Sequence, residues 1–207
     1  MTGRPKSGHD NRAAILRRLD PPPVWLCLLA IGGMLALQSL ALLALGHPAI
    51  CTCGTVKLWH GVVASSENSQ HIADWYTYSH VIHGFALYFL LWLLAPGMSF
   101  GLRLTIAVGI EVAWEVAENM PAIMERYRQS ALARGYFGDS AINSVADTLA
   151  AAVGVVLARK LPVWLIVASV IAMELFALYW IRDNLVLNVV QLIHPFEAIS
   201  LWQEGGH

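Results

Sequence analysis

Charge is scarce in this sequence. Only 13% of its 207 residues are charged and 57% are hydrophobic, whereas soluble domains are about a quarter charged. This shortage excludes a disordered chain and a basic nucleic-acid-binding domain, and it argues against a soluble globular domain. The mean hydropathy of +0.57 points the same way, so the composition predicts a membrane protein whose partner is the lipid bilayer, with no nucleic acid. The net charge of −1 by itself indicates no partner.

Several motifs of catalysis and phosphate binding are missing as well. The chain has no P-loop, no GxSxG nucleophile elbow and no HExxH zinc motif. It also lacks the Glu-x-x-His pair of ferritin-like metal proteins and the internal repeat typical of many transporters. A site in this protein must therefore be assembled from side chains on different helices.

Five apolar runs are each long enough to cross a hydrocarbon core about 30 Å thick. They cover approximately residues 24–45, 79–95, 100–119, 140–158 and 161–181. The first run is too long for the core of a cleaved signal peptide, so we expect an uncleaved span. The apolar tail, residues 185–202, is interrupted by a His-Pro pair. The predicted fold class is all-α: a polytopic membrane helix bundle of about five transmembrane spans plus a C-terminal re-entrant or interfacial helix.

The sequence divides into a basic cytoplasmic tail, residues 1–20, and a single membrane-embedded helical domain, residues 21–207. If the N-terminus is cytoplasmic, most Lys and Arg residues fall on the cytoplasmic side, as membrane topology favours. The long loops, residues 47–78 and 120–139, then lie outside. We therefore expect a cytoplasmic N-terminus and a polar centre at the opposite face.

Polar residues recur at helical spacings near that opposite face, which places each set on one side of its helix. The sets are His80 and His83; Glu111, Glu115 and Glu118; and Asp139, Asn143 and Asp147. Arg182, Asp183 and Asn184 close the last span. Ionisable groups inside a membrane are costly, so these residues are candidates for function.

Carboxylates crowded into a low-dielectric layer suit a general acid or a proton relay. The candidate catalytic residues are Glu111, Glu115, Asp147 and His83. The alternative is that the acids form buried ion pairs that lock the bundle. Their candidate cations are Arg126, Arg128 and Arg182.

Imidazole and carboxylate groups also suit a divalent metal such as zinc, iron or manganese. The candidate metal ligands are His80, His83 and Glu115. Alternatively, the two histidines are interfacial groups hydrogen-bonded to neighbouring helices. The sequence leaves the cofactor open, and a divalent metal is one candidate.

Arginine forms bidentate bonds with phosphate, so a lipid headgroup is a candidate ligand of the polar centre. The candidate substrate-binding residues are Arg126, Arg128, Asn143, Arg182, Asp183 and Asn184. Cys51 and Cys53 lie in the first outer loop, where an oxidising compartment would favour a structural or redox disulfide. Metal capture is the alternative for this pair.

Six segments resemble a bacterial inner-membrane family known as uncharacterised protein family three hundred and fourteen, or domain of unknown function twenty-five eighty-five. They are residues 53–60, 66–76, 79–84, 114–119, 136–140 and 181–185, within a match that spans approximately residues 24–203. The resemblance implies a multi-pass protein of the bacterial inner membrane and no established activity. In that membrane, the topology expected from the Lys and Arg residues turns the polar centre towards the periplasm.

The middle of the chain is also loosely similar to the VanZ-like group of small membrane proteins. That group places an acid or a histidine, an acid on the next helix, an arginine, and then Asp and Asn in order along its helices. The corresponding residues would be His80 and His83; Glu111 and Glu115; Arg126 or Arg128; and Asp139, Asn143 and Asp147. Ser79-His80 replaces the Asp that often opens the pattern, so only the topology and an outer polar centre are implied.

Three functions fit these features, and the sequence does not decide whether the protein is an enzyme. The first is a membrane enzyme or binder that acts on an envelope lipid or a lipid-linked headgroup. The second is a non-enzymatic accessory subunit of a larger membrane complex. The third is a small proton-coupled transporter in which the carboxylates relay protons.

Overall fold

The computed structural model describes residues 21–205, and the regular secondary structure within them consists of α-helices alone, which confirms the predicted all-α class. Its eight helices are α1 (Val24–Ala44), α2 (Thr77–Leu94), α3 (Phe100–Glu118), α4 (Pro121–Tyr127), α5 (Ala141–Lys160), α6 (Val163–Ile181), α7 (Leu185–Ile193) and α8 (Glu197–Glu204). The predicted basic tail, residues 1–20, lies outside the described residues.

Four helices, α1, α2, α5 and α6, are long and apolar enough to cross a membrane by length and composition. The fifth predicted span, α3, is 19 residues long, but it carries four charged residues, more than any of the other four helices. These charged residues are Arg103, Glu111, Glu115 and Glu118. The prediction of about five spans thus corresponds to four apolar helices and one polar helix packed among them.

Sequence signals at the helix ends have clear structural counterparts. The Ser140 hydroxyl accepts a hydrogen bond from the Asn143 backbone N–H at 3.3 Å and so caps the start of α5. Pro121 follows the end of α3 and occupies the first turn of α4. A proline is tolerated there because the N–H groups of the first turn have no acceptor within the helix. The C-terminal segment forms two short helices, α7 and α8, and not the single helix predicted, because Pro195 interrupts it.

The bundle core consists of α1, α2, α3 and α5, and its tightest crossing joins α2 to α5. Gly84 and Gly154 make this crossing: a Cβ at Gly84 would lie 2.0 Å from the Ala151 carbonyl oxygen and 2.8 Å from the Gly154 Cα. Small residues let helix backbones approach in this way in membrane bundles. Helix α6 lies outside the core, and its Tyr179 side chain is 80% exposed.

The loop between α1 and α2 folds over the start of α5. The first N–H groups of a helix have no partner within the helix, and here the loop supplies their acceptors. Ser140, Ala141 and Ile142 donate to the carbonyls of Ser69, Pro48 and Ala49 at 3.0, 2.9 and 3.1 Å, respectively. The start of α5, which carries Asn143 and Asp147, is therefore fixed by this loop.

Candidate functional site

Helix α2 directs His80 and His83 at a single carboxylate of α3. The Nδ1 atoms of His80 and His83 lie 2.8 and 3.0 Å, respectively, from Glu111 Oε1. Their i, i+3 spacing puts both rings on the face that packs against α3. Glu111 is only 2% exposed, so the two imidazoles take the place of water around this carboxylate.

Glu115 lies one helical turn after Glu111 and is 1% exposed. Its Oε2 accepts a hydrogen bond of 2.7 Å from the Ser144 hydroxyl of α5. Its Oε1 lies 3.2 Å from His80 Nδ1, yet it has no hydrogen bond of acceptable geometry within the described residues. A buried carboxylate oxygen without a donor is costly, so this atom is available to a proton or a cation.

Asp147 completes the cluster from α5. Its Oδ1 accepts a hydrogen bond of 3.2 Å from the Thr77 hydroxyl, and its Oδ2 lies 3.9 Å from His80 Nε2. His80 therefore lies between the carboxylates of α3 and α5, with one ring nitrogen facing each helix. The glycine crossing described above makes this approach of α2 to α5 possible.

Among the described residues, three sets of side chains have the spacing of metal ligands, with ligand atoms within 4.8 Å of one another. One set, in the loop between α1 and α2, is Cys51, Cys53, Glu67 and His71. The two sets in the helix bundle overlap: one is His80, His83 and Glu111, and the other is His80, Glu115 and Asp147. The predicted ligand set of His80, His83 and Glu115 is therefore divided. Glu115 shares a set with His80 but not with His83. Together the two sets in the bundle define the five-residue cluster of His80, His83, Glu111, Glu115 and Asp147.

The alternative in which these acids pair with Arg126, Arg128 and Arg182 is contradicted, because none of the three forms such an ion pair among the described residues. Each guanidinium instead donates to backbone carbonyls: Arg126 to Leu192 and Ile193, Arg128 to Tyr136, and Arg182 to Trp202. The last carbonyls of a helix lack partners within the helix and attract such donors. Among the described residues, the only basic side chains within ion-pair distance of the cluster are its own two histidines.

The other predicted binding residues lie outside the cluster. Asn143 donates from Nδ2 to the His71 carbonyl at 2.8 Å. It therefore belongs to the contact between α5 and the loop between α1 and α2, residues 45–76, which is called the covering loop below. Asn184 caps α7 by accepting from the Leu187 N–H at 2.9 Å. Asp183 accepts from the Tyr76 hydroxyl at 3.2 Å, and burial raises its pKa to about 6.

A second polar layer, formed by Asn119, Tyr136 and Asp139, adjoins the cluster. The Asp139 carboxylate accepts from Asn119 Nδ2 at 2.6 Å and from the Tyr136 hydroxyl at 2.9 Å, and burial raises its pKa. The Asn119 side chain also donates to the Glu115 carbonyl at 2.9 Å. This layer therefore joins the end of α3 to the start of α5.

The loop above this layer contains a disulfide between Cys51 and Cys53, the structural or redox alternative of the sequence analysis. Beside it, Lys57 forms an ion pair with Glu67, and His71 Nε2 lies 2.9 Å from the same carboxylate oxygen. Hydrogen bonds from Lys57 and His71 lower the pKa of Glu67 to about 2. His71 Nδ1 meanwhile accepts from the Lys57 N–H at 3.2 Å, so both ring nitrogens are already engaged.

Comparison with known proteins places this arrangement in a family. A family model described as "Protein of unknown function (DUF2585)" matches residues 42–205. A UPF0314 protein of Paracoccus denitrificans (strain Pd 1222) is 55% identical over 181 residues, which cover 87% of this chain and 92% of that protein. The UPF0314 protein R03235 of Rhizobium meliloti (strain 1021) is 53% identical over 180 residues, or 87% and 91% of the two chains.

The chain belongs to the UPF0314 family. Neither the description of the family model nor the names of these relatives state an activity. The looser similarity to VanZ-like proteins is not shown by these matches. No solved structure matches the chain.

In this UPF0314 chain, three polar residues of the bundle escape the sequence analysis: Gln38 of α1, and Ser144 and Thr148 of α5. Gln38 is fully buried; its Nε2 donates to the Ser144 hydroxyl at 2.6 Å, and its Oε1 accepts from the Thr148 hydroxyl at 3.0 Å. Because Ser144 also donates to Glu115, these residues extend the cluster to α1. The sequence signal that could have revealed them is the Gln38 amide inside an apolar span, because a polar group there needs a hydrogen-bond partner on another helix.

Proposed function

We propose that this UPF0314 protein is a multi-pass protein of the bacterial inner membrane that binds a divalent metal between α2, α3 and α5. We further propose that it acts there on an envelope lipid or a lipid-linked headgroup. In this proposal the N-terminus is cytoplasmic and the cluster faces the periplasmic side. The observation that carries it is the convergence of two imidazoles and three carboxylates from three helices.

The charge of the cluster supports a cation. With both imidazoles neutral and Glu111, Glu115 and Asp147 ionised, the five side chains carry a charge of −3, which a divalent cation would reduce to −1. Buried charges need a counter-charge or a proton, because removing them from water is costly. The described residues supply no Lys or Arg for this purpose.

The geometry supports it as well. Ligand atoms about 2.0–2.1 Å from a tetrahedral zinc ion lie about 3.3 Å from one another. The Nδ1 atoms of His80 and His83 lie 2.8 and 3.0 Å from Glu111 Oε1, so a metal would need each imidazole to move only a few tenths of an ångström away from this oxygen. A bound metal would polarise a phosphoryl oxygen or activate a water molecule, and Glu115 or Asp147 would be placed to accept a proton.

Metal analysis of the purified protein tests the first part of the proposal. We expect stoichiometric metal after loading with zinc, iron(II) or manganese(II), and its loss in His83→Ala and Glu111→Gln. His194→Ala is the matched control, because His194 is exposed beyond the end of α7 and far from the cluster in sequence. Wild-type protein that stays folded but retains none of the three metals would refute the metal site.

Lipid analysis tests the second part. In a strain that lacks the protein, mass spectrometry of membrane lipids should show an altered headgroup composition, which wild-type protein restores and Glu111→Gln does not. The two proteins must reach equal levels in the membrane for this comparison. A lipid composition that does not change on deletion, or that Glu111→Gln restores fully, would contradict an activity on lipids.

One observation favours a proton relay as the second candidate. Polar contacts of 3.2, 3.9, 2.8 and 3.0 Å connect Thr77, Asp147, His80, Glu111 and His83 in that order. All of them except the contact between Asp147 and His80 are within hydrogen-bond distance. Such chains of titratable groups carry protons in pumps and transporters. Proton flux into liposomes that falls in Glu111→Gln and persists in metal-free protein would favour the relay over the metal site.

A further inference from the structure

A cavity of about 300 Å³ lies next to the second polar layer, outside the five-residue cluster. Its walls come from the end of α3, from α4, and from loop residues 63–69 and 131–137. The residues that decide its chemistry are Tyr76, Glu118, Tyr127, Arg134 and Tyr136. None of the functions considered so far uses this cavity.

Aromatic rings form two walls of the cavity that meet nearly at a right angle. The ring centroids of Tyr127 and Tyr136 are 5.9 Å apart, and the ring planes are inclined by 83°. The face of an aromatic ring is negative, and such rings attract organic cations, including quaternary ammonium groups. The shape of this corner therefore suits a compact cation.

The hydroxyl groups of the wall strengthen this preference. The Tyr136 hydroxyl donates its proton to Asp139 at 2.9 Å, and the Tyr76 hydroxyl donates to Asp183 at 3.2 Å. A phenol has only one proton to donate, so each oxygen can offer a ligand only its lone pairs. The wall thus presents acceptors, and it selects a ligand that carries donors or positive charge.

The charge of the wall points in the same direction. Glu118 lines the cavity, and no Lys, Arg or His forms an ion pair with it among the residues that the structure describes. Burial raises the pKa of Tyr127, and the nearby Glu118 and Asp139 carboxylates add to that increase. Among the described residues the lining contains one basic side chain, Arg134, and its ion pair is with Glu204 and not with Glu118.

We propose that this cavity binds an organic ammonium group, with Glu118 as its counter-ion and the rings of Tyr127 and Tyr136 as its aromatic walls. The same chemistry occurs in free amines and in the headgroups of amine-bearing phospholipids. This inference goes beyond the metal site and does not depend on it, because none of these three residues belongs to the five-residue cluster.

Arg134 adds a preference among such ligands. Its guanidinium lines the cavity and forms an ion pair with Glu204, and the two side chains are 65% and 40% exposed, respectively. Exposed ion pairs contribute little to stability, so Arg134 can exchange Glu204 for a phosphate carried by the ligand. We expect a phosphate-linked ammonium to bind more tightly than the ammonium alone.

Calorimetric titration of the purified full chain tests the proposal, in a nonionic detergent and with a chelator present so that the metal site has no influence. Choline and phosphocholine should bind saturably, and inorganic phosphate alone should not. Tyr127→Leu should weaken choline binding about tenfold or more, and Tyr127→Phe should restore it, because the phenyl ring keeps the cation–π contact. Glu118→Gln should weaken it as well, whereas Tyr179→Leu, at an exposed position on α6, should have no effect.

Nanodiscs distinguish the two sources of the ligand. If lipid headgroups enter the cavity, phosphatidylethanolamine competes with phosphocholine, and the apparent Kd of phosphocholine should be higher in phosphatidylethanolamine discs than in phosphatidylglycerol discs. If only soluble amines enter, the two Kd values should agree. Folded wild-type protein that binds neither choline nor phosphocholine would overturn the inference. Equal affinity in wild type, Glu118→Gln and Tyr127→Leu would overturn it too, since binding would then occur elsewhere.

Discussion

Replacing Gly84 by alanine tests whether the close crossing of α2 and α5 holds the cluster together. The added methyl carbon would lie 2.0 Å from the Ala151 carbonyl oxygen and 2.8 Å from the Gly154 Cα, whereas ordinary contacts begin near 3.4 Å. Both obstacles are backbone atoms, which no side-chain rotation can remove. The two helices would have to move apart by roughly 1.4 Å, the difference between 2.0 and 3.4 Å.

The magnitude follows from two opposing effects. Overpacking a tight interior typically costs about 1–3 kcal/mol, and replacing a helical glycine by alanine returns up to about 1 kcal/mol. Because the contact is with backbone, we expect a net loss of about 2 kcal/mol of unfolding free energy. For a chain of this size, that loss corresponds to a Tm lower by about 4–8 °C.

The assay combines thermal unfolding in detergent with metal content. Gly32→Ala is the matched control, because no heavy atom lies within 4 Å of a Cβ at Gly32, another helical glycine in a proposed span. The control should unfold at or above the wild-type temperature and keep its metal. Gly84→Ala should unfold at a lower temperature and bind less metal, because His80 lies one turn from Gly84. Wild-type stability of Gly84→Ala, or equal losses in the two variants, would refute the packing argument.

Two further predictions concern buried polar groups. Burial raises the pKa of Asp183 from 3.8 to about 6, so between these pH values the folded protein binds a proton that the unfolded chain does not. The unfolding free energy should therefore fall by about 3 kcal/mol as the pH rises from about 4 to above 6. Urea unfolding of Asp183→Asn should lack this pH dependence, and a pH dependence equal to that of the wild type would contradict the prediction. Gln38→Leu leaves the hydroxyls of Ser144 and Thr148 without their amide partner and should lower the unfolding free energy by about 1–3 kcal/mol. Ser39→Ala in the same helix is the control, because its hydroxyl bonds only to the carbonyl one turn before it; equal losses in both variants would show that the buried amide has no special role.

The helices and the faces that carry His80, His83, Glu111 and Glu115 were predictable because each depends on a regular pattern along the chain. An apolar run gives a span, and spacings of three and four give one face. Helix ends followed from single residues in the same way, as Ser140 shows at the start of α5. Patterns of this kind are local, and they survive folding because neighbours in the helix do not depend on the rest of the molecule.

Partner choice between distant segments was not predictable. Arg126 and the other arginines were assigned to the acids by charge, yet Arg126 reaches the last carbonyls of α7, which become available only when α7 packs beside α4. Gln38 was overlooked because a single amide in an apolar run has no polar neighbour at helical spacing, and so it forms no periodic pattern. The close approach at Gly84 and Gly154 likewise depends on which helix packs against which, and this information is absent from either helix alone.

The contact between the covering loop and the start of α5 has a practical consequence for experiments on topology. Reporter fusions and epitope tags are usually inserted into long loops, and residues 47–76 look suitable because they contain no helix. An insertion near Pro48, Ala49 or Ser69 would instead withdraw the acceptors of the first N–H groups of α5. Gly97, in the turn between α2 and α3, has open space around its Cβ position. That turn is the better site for a tag, because a reporter there can register the side of the membrane without displacing the helix that carries Asp147.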